Sequence, residues 1–246
     1  MEIKDLYDIF KKCGSVATDS RAIRGGELFF ALKGENFDGN EFADKALEAG
    51  AAYAVVNADA SVCARANDFP DGNGMSRLIS VNDTLVTLQD LARWHREHVL
   101  GEDKHLTVIG ITGTNGKTTT KELIRTVLSA GFNVTATEGN LNNDIGVPLS
   151  VLKMTSETQL AVIEMGASHP DDIAKLVTVC EPDYGIITNV GRAHLQGFGS
   201  FEGVQRAKGQ LYDYVNAHGR AVFVNADDDV LRSMCEDRAG LSIIPY

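Results

Sequence analysis

One stretch constrains the fold more than any other: Gly113-Thr114-Asn115-Gly116-Lys117-Thr118-Thr119-Thr120. The apolar run Leu106 to Thr112 precedes it and reads as a buried strand, and Lys121 to Ala130 follows it and reads as a helix. Strand, glycine-rich turn, Lys-Thr and helix is the build of a phosphate cradle. Glycines let backbone N–H groups close around phosphate oxygens, and the helix N-terminus adds partial positive charge. In such a cradle Lys117 reaches the β and γ phosphates of ATP, and the Thr118 hydroxyl reaches Mg2+. The longer P-loop pattern requires glycine five places before Gly116, where Ile111 stands, so the fit is to the shorter Gly-Thr-Asn-Gly-Lys-Thr form. A turn that merely links strand to helix is the bland alternative, and the flanking elements favour the cradle.

Bulk properties narrow the setting. At 246 residues the chain has room for one large or two modest domains. A net charge of −11 argues against a general nucleic-acid binder, which needs a basic stripe to displace counterions. No apolar run approaches the roughly 20 residues of a membrane span. The charged start, Met1 to Asp8, has no signal-peptide core. Cys13, Cys63, Cys180 and Cys235 are scattered without a Cys-x-x-Cys pair. That suits free thiols in a reducing cytosol, so a cytoplasmic location is expected.

The periodicities predict an α/β fold: a small N-terminal α/β domain, then a P-loop central domain with a mostly parallel sheet flanked by helices. Strands are expected at Glu27–Leu32, Ala52–Val56 and Arg77–Val81, with a helix from Glu41 to Ala49 burying Phe42, Ala46 and Ala49. A second helix runs from Thr84 to about His98, capped by Asn82 or Asp83, with Leu85, Leu88, Leu91 and Ala92 on its apolar face. His95 and His98 on it could share a metal, though a polar helix flank is the favoured reading. Later strands are expected at Phe132–Thr137, Leu160–Met165, Tyr184–Val190 and Ala221–Asn225. The expected division is 1–82 for the first domain, 83–104 for a linker helix and linker, and 105–246 for the central domain.

In parallel sheets ligands sit beyond the carboxyl ends of the strands. That edge would gather Thr118, Glu164 at the end of its strand, and His194 a few residues past the next. A hydroxyl, a carboxylate and an imidazole beside a triphosphate suit Mg2+ coordination. Lys208 is unusual. It shares a helical stripe with Val204, Leu211 and Val215, on a helix from Phe201 to about Ala217. Two readings stay open: the ammonium snorkels to solvent, or burial lowers its pKa, so that a neutral amine can take up CO2 as a carbamate.

Four stretches make the match specific. Thr18-Asp-Ser-Arg21, with Gly26 to Leu32 and Asn36-Phe-Asp-Gly39, is the first; Gly139 to Pro148 is the second. Glu164-Met-Gly-Ala-Ser-His169 is the third, and Asn189 to Gly199, running on to Ala207-Lys-Gly-Gln-Leu-Tyr212, is the fourth. Together with the phosphate loop they resemble the Mur ligases, the cytoplasmic amide ligases of peptidoglycan synthesis, in the branch that adds D-alanyl-D-alanine. The resemblance covers nearly the whole chain in family order. It implies that ATP phosphorylates the terminal carboxylate of UDP-MurNAc-tripeptide and that the amine of D-Ala-D-Ala attacks the acyl phosphate.

Residue by residue, the resemblance implies that Gly113, Thr114, Asn115, Gly116, Lys117, Thr118 and Thr119 hold ATP, with Asn225 at the adenine pocket. It places one Mg2+ on Thr118 and Glu164 and a second on Glu164 and His194. Lys208 matches the family's carbamylated lysine, which adds it to the metal candidates Thr118, Glu164 and His194. Lys117, His194 and Lys208 are thereby the catalytic candidates. Ser20 and Arg21 match the uridine-diphosphate end of the substrate site, and Asn142 and Asn143 lie where substrate and phosphates meet. A monomer without nucleic-acid or membrane partners is implied.

Two departures stand out. Asn40 occupies a position where many members have His. No segment resembles the family's third domain, and the chain ends at Tyr246 within what matches the central one; little or no turnover is therefore expected of the chain alone. Three rivals are a sister ligase that adds the third amino acid, a folylpolyglutamate synthase, and a nucleotide-binding module without ligase activity. The Gly139–Pro148 stretch disfavours the first, Thr118-Thr119 the second, and the Glu164, His194 and Lys208 set the third.

Overall fold

Alternating strands and helices build two separate parallel sheets in the computed structural model. It describes residues 1–72, 74–101, 106–191 and 195–246, the side chains of 195 and 196 excepted. The chain divides into two units, Met1–Trp94 and His95–Tyr246.

The first unit contains α1 (Ile3–Cys13), β1 (Val16–Ala17), β2 (Leu28–Phe30), β3 (Lys33–Gly34), β4 (Phe37–Asp38), α2 (Ala43–Glu48), β5 (Tyr53–Asn57), β6 (Leu78–Val81) and most of α3 (Thr84–His98). Its sheet runs β1-β2-β5-β6, every pair parallel, and β3 and β4 form an antiparallel ribbon. The core under the sheet is made by Phe29, Ala31, Ala43, Ala46, Leu47, Ala54 and Val56. The face expected for the helix near residue 45 is corrected here. Asp38 caps a 3-10 turn, Gly39–Phe42, and the α-helix starts only at Ala43. That shift turns Ala43, Ala46 and Leu47 inward and leaves Ala49 exposed, while Phe42 stacks on Phe37. α3 keeps its expected bounds, with the Asp83 carboxylate accepting from Val86 N at 2.9 Å. α1 is not foreseen from the charged start, yet it buries Leu6, Tyr7 and Phe10, one stripe of a helix.

The second unit contains β7 (Thr107–Thr112), α4 (Lys117–Leu128), β8 (Val134–Ala136), α5 (Gly146–Val151), β9 (Leu160–Glu164), α6 (Asp172–Cys180), β10 (Tyr184–Ile187), α7 (Leu195–Phe198), α8 (Phe201–His218), β11 (Ala221–Val224), α9 (Asp229–Glu236) and β12 (Ile243–Pro245). Its sheet runs β12-β11-β10-β7-β9-β8, all parallel. β7 lies in the interior, flanked by β9 and β10. The chain leaves it for β8 and β9 on one side, then crosses to build β10, β11 and β12 on the other. This reversal opens a crevice at the carboxyl end of β7.

Register fixes what meets there: Ile111 pairs with Glu164, and Thr112 pairs with Ile187. Ile111, Val162 and Ile186 face α4 with Ile124, whereas Leu211 of α8 packs over Gly110 and Gly185 on the opposite face. Buried Asp183 anchors the entry to β10. Its carboxylate accepts from Val108 N at 2.8 Å and from the Arg96 guanidinium at 3.5 Å. Among the described residues no helix is long and apolar enough to cross a membrane.

Candidate functional site

The loop between β7 and α4 begins at Gly113, whose φ of 148° is unfavourable for any side chain. A Cβ there would stand 1.9 Å from Thr188 Oγ1. Gly116 closes the loop in the left-handed region, at φ 80°, and α4 starts at the next residue. The chain past β10 laces the loop from one side. Thr114 N donates to Asn189 O at 3.0 Å, Asn115 N donates to Asn189 Oδ1 at 3.1 Å, and Thr188 Oγ1 donates to Asn115 O at 2.6 Å. Thr188 and Asn189 were not foreseen from sequence; their signal is polar residues at the end of the strand beside β7. With the loop tied from behind, the first N–H groups of α4, at Lys117, Thr118 and Thr119, have no intrahelical acceptor. They form an electropositive rim suited to phosphate oxygens. Lys117 folds back, its ammonium donating to Gly113 O at 2.9 Å and Thr114 O at 3.3 Å.

Glu164 ends β9 in this same rim, only 1 % exposed. Its Oε2 accepts from Thr118 Oγ1 at 2.9 Å, and its Oε1 accepts from Asn142 Nδ2 at 2.8 Å. Three of the sequence-predicted residues therefore meet through one carboxylate. Thr137, buried at the end of β8, accepts the Glu164 N–H at 3.0 Å. Asn143 stands beside Asn142 but plays another part. Its Oδ1 accepts at 2.8 Å from the N–H of Gly146, the first residue of α5, a helix that the sequence does not signal. A cavity of about 470 Å3 opens beside Lys117, lined also by Asn142, Asn143, Gly166, His169 and Lys175.

Lys208 lies on the stripe predicted for it: Val204, Lys208, Leu211 and Val215 are all buried. At 3 % exposure it does not snorkel. Burial, helped by the Lys117 charge, pushes its pKa from 10.5 down to about 8. Burial and a lowered pKa, rather than a snorkelling ammonium, are what surrounds this amine.

Other candidates lie apart or elsewhere. Asn225 follows β11, two strands from β7 on the same edge, and its side chain accepts from Asp227 N at 3.0 Å. His194 lies outside the described residues. Ser20 and Arg21 belong to the first unit. Arg21 is exposed and paired with Asp19 at 2.7 Å, which holds the Asp19 carboxyl down at about 2. Asn40 is buried there, bonded to Asp38 and Asn57. The polar-flank reading of His95 is corrected: it is 5 % exposed and its Nε2 lies 2.8 Å from Met154 O, so burial lowers its pKa.

For a divalent cation, donor chemistry is the test. A carboxylate and a hydroxyl oxygen converge, which are hard ligands of the kind Mg2+ takes alongside phosphate oxygens. The donor set fits Mg2+. Among the described residues His, Cys, Asp and Glu side chains form no group of three or more.

Two family models match the chain. The Mur ligase middle domain matches residues 111–243, and the Mur ligase family catalytic domain matches residues 13–96. The chain is 40 % identical over 215 residues to the UDP-N-acetylmuramoyl-tripeptide–D-alanyl-D-alanine ligase of Escherichia coli (strain K12), covering 87 % of this chain and 44 % of that protein. The ligase of the same name from Bacillus subtilis (strain 168) is 41 % identical over 218 residues, covering 89 % and 44 %. Among solved structures, MurF from Acinetobacter baumannii superposes with a TM-score of 0.81 at 31 % identity, covering 99 % of this chain and 52 % of that one. MurF ligase from Thermotoga maritima, in complex with ADP, gives 0.76 at 31 % identity, covering 97 % and 51 %. The chain spans about half the length of the relatives it matches.

Proposed function

The chain belongs to the Mur ligase family, and we propose that it carries the nucleotide site of an ATP-dependent amide ligase joining D-Ala-D-Ala to UDP-MurNAc-tripeptide. The observation that carries this reading is the Thr118–Glu164 contact of 2.9 Å at the mouth of a glycine loop. The substrates are those of the D-alanyl-D-alanine-adding relatives, as their names state.

In this reading the loop N–H groups and Lys117 cradle the β and γ phosphates of ATP. Thr118 and Glu164 would hold Mg2+, which would offset charge on the transferring phosphoryl group. The tripeptide carboxylate takes the γ-phosphoryl and ADP leaves. The amine of D-Ala-D-Ala then attacks the acyl carbon, phosphate departs, and the amine loses its proton. Asn142 keeps the Glu164 carboxylate turned toward Thr118, and Asn143 shapes the adjacent cavity. Lys208 is the amine suited to carry a carbamate, since the proton it must first lose is held weakly. His194 and Asn225 keep their family roles at metal and adenine, and Ser20 and Arg21 theirs at the uridine diphosphate. The division 1–82, 83–104 and 105–246, a monomer and a cytoplasmic site of action belong to the same proposal.

ATP titrations of this chain with and without Mg2+ test the site. Glu164→Gln should remove at least tenfold of the affinity that Mg2+ adds, and an unchanged Mg2+ gain in that variant would refute the assignment. With the family's third domain present, phosphate release that requires the tripeptide nucleotide and D-Ala-D-Ala, and that meso-diaminopimelate does not support, separates this ligase from its sister. Release indifferent to both substrates counts against a ligase.

A further inference from the structure

Lys121 has no part in the chemistry above, yet it is fully buried. On α4 it lies three residues after Thr118 and four after Lys117, on the face they share. Its ammonium donates to Thr137 O at 2.5 Å and pairs with Glu122 Oε1 at 2.9 Å. Sealing an ammonium away from water is expensive, and Leu or Met would fill such a space without that penalty.

What the charge secures is visible from Thr137. Its N–H donates to Val162 O at 3.1 Å, and its Oγ1 accepts from Glu164 N at 3.0 Å, so Thr137 clasps the last residues of β9 at two points. Glu164 then reaches Thr118. The contacts Lys121–Thr137–Glu164–Thr118 form a ring that starts and ends on one helix. α4 thus grips the ends of β8 and β9 from both sides of the carboxylate.

We propose that Lys121 is a positioning residue of the nucleotide site: by fixing the Thr137 carbonyl it fixes the backbone of Glu164, and so aims that carboxylate at Thr118, the pair that would hold the cation. This rests on the ATP–Mg2+ reading of the site. Lys121 touches neither nucleotide nor metal, so its effect should appear only in what Mg2+ adds to ATP binding.

The test is calorimetric titration of the 246-residue chain with ATP, with and without Mg2+, for the unsubstituted protein, Lys121→Met and Thr137→Val. Thr137→Val keeps the shape and removes the hydroxyl that holds Glu164. Both variants should lose about tenfold of the Mg2+-dependent gain, while Mg2+-free affinity, carried by the loop and Lys117, stays within about twofold. A folded Lys121→Met with the full Mg2+ gain overturns the proposal. If Lys121→Met does not fold, Thr137→Val decides, and an intact gain there overturns it equally. Should the unsubstituted chain show no Mg2+-dependent ATP binding, the site reading itself fails and takes the proposal with it.

Discussion

Replacing Lys208 by Met should stabilise the protein, and the gain should fade as pH rises. Lys208 is 3 % exposed, and burial brings its pKa from 10.5 down to about 8. At about 1.4 kcal/mol per pH unit, holding the charged amine in the fold costs about 3 kcal/mol near neutrality. The sign follows from proton counting. Between pH 8 and 10.5 the unfolded chain binds more protons than the folded one, so stability rises with pH across that window. Below pH 8 both states are charged and the full penalty stands. Above 10.5 both are neutral and it vanishes. Lys208→Met should therefore exceed the unsubstituted chain by about 3 kcal/mol at pH 7 and by about 1.4 kcal/mol at pH 9.5. Urea unfolding in CO2-depleted buffer at the two pH values measures both differences. A difference that does not change with pH would refute the reasoning, because it would mean that the ammonium reaches water.

Gly113→Ala drives a methyl into Thr188 Oγ1 at a φ of 148°. It should cost about 1–3 kcal/mol in thermal or urea unfolding and weaken ATP binding with or without Mg2+, since Thr188 ties the loop at Asn115. Asp183→Ala removes the acceptor of Val108 N and the carboxylate that pairs with the Arg96 guanidinium, itself 8 % exposed, leaving that cation its bond to Glu181 O. A loss of about 3–5 kcal/mol in urea unfolding is expected, with ATP affinity per folded molecule unchanged.

Several features were legible because they depend on neighbours in sequence. α3 keeps its expected bounds from Thr84 to His98 because a capping Asp83 and a stripe of leucines act within a few turns. The Lys208 stripe was readable for the same reason. The helix after the phosphate loop was expected from Lys121 but begins at Lys117. The left-handed Gly116 lets the helix start immediately, and a run of threonines hides that onset. α5 is not legible because its N-cap position is Ile145, which offers no capping side chain, the Asn143 bond to Gly146 N comes from three residues before the helix, and Pro148 suggests a break. Lys121 was also missed, although it heads the inward stripe with Ile124 and Leu128. The same helix leaves Leu123 and Val127 at 63 % and 72 % exposed, so its apolar residues misreport which side faces in.

Local order of residues was enough to determine the cradle itself, since a glycine turn between a buried strand and a helix N-terminus closes over a handful of bonds. The order of strands across the sheet was not available from that order. Only the folded sheet, with β9 and β10 on either side of β7, brings Glu164 within 2.9 Å of Thr118 and seats Asn189 behind the loop. Such contacts join residues 46 and 74 positions apart. They exist because parallel strands in register carry their carboxyl ends to one edge, a constraint that acts through space rather than along the chain.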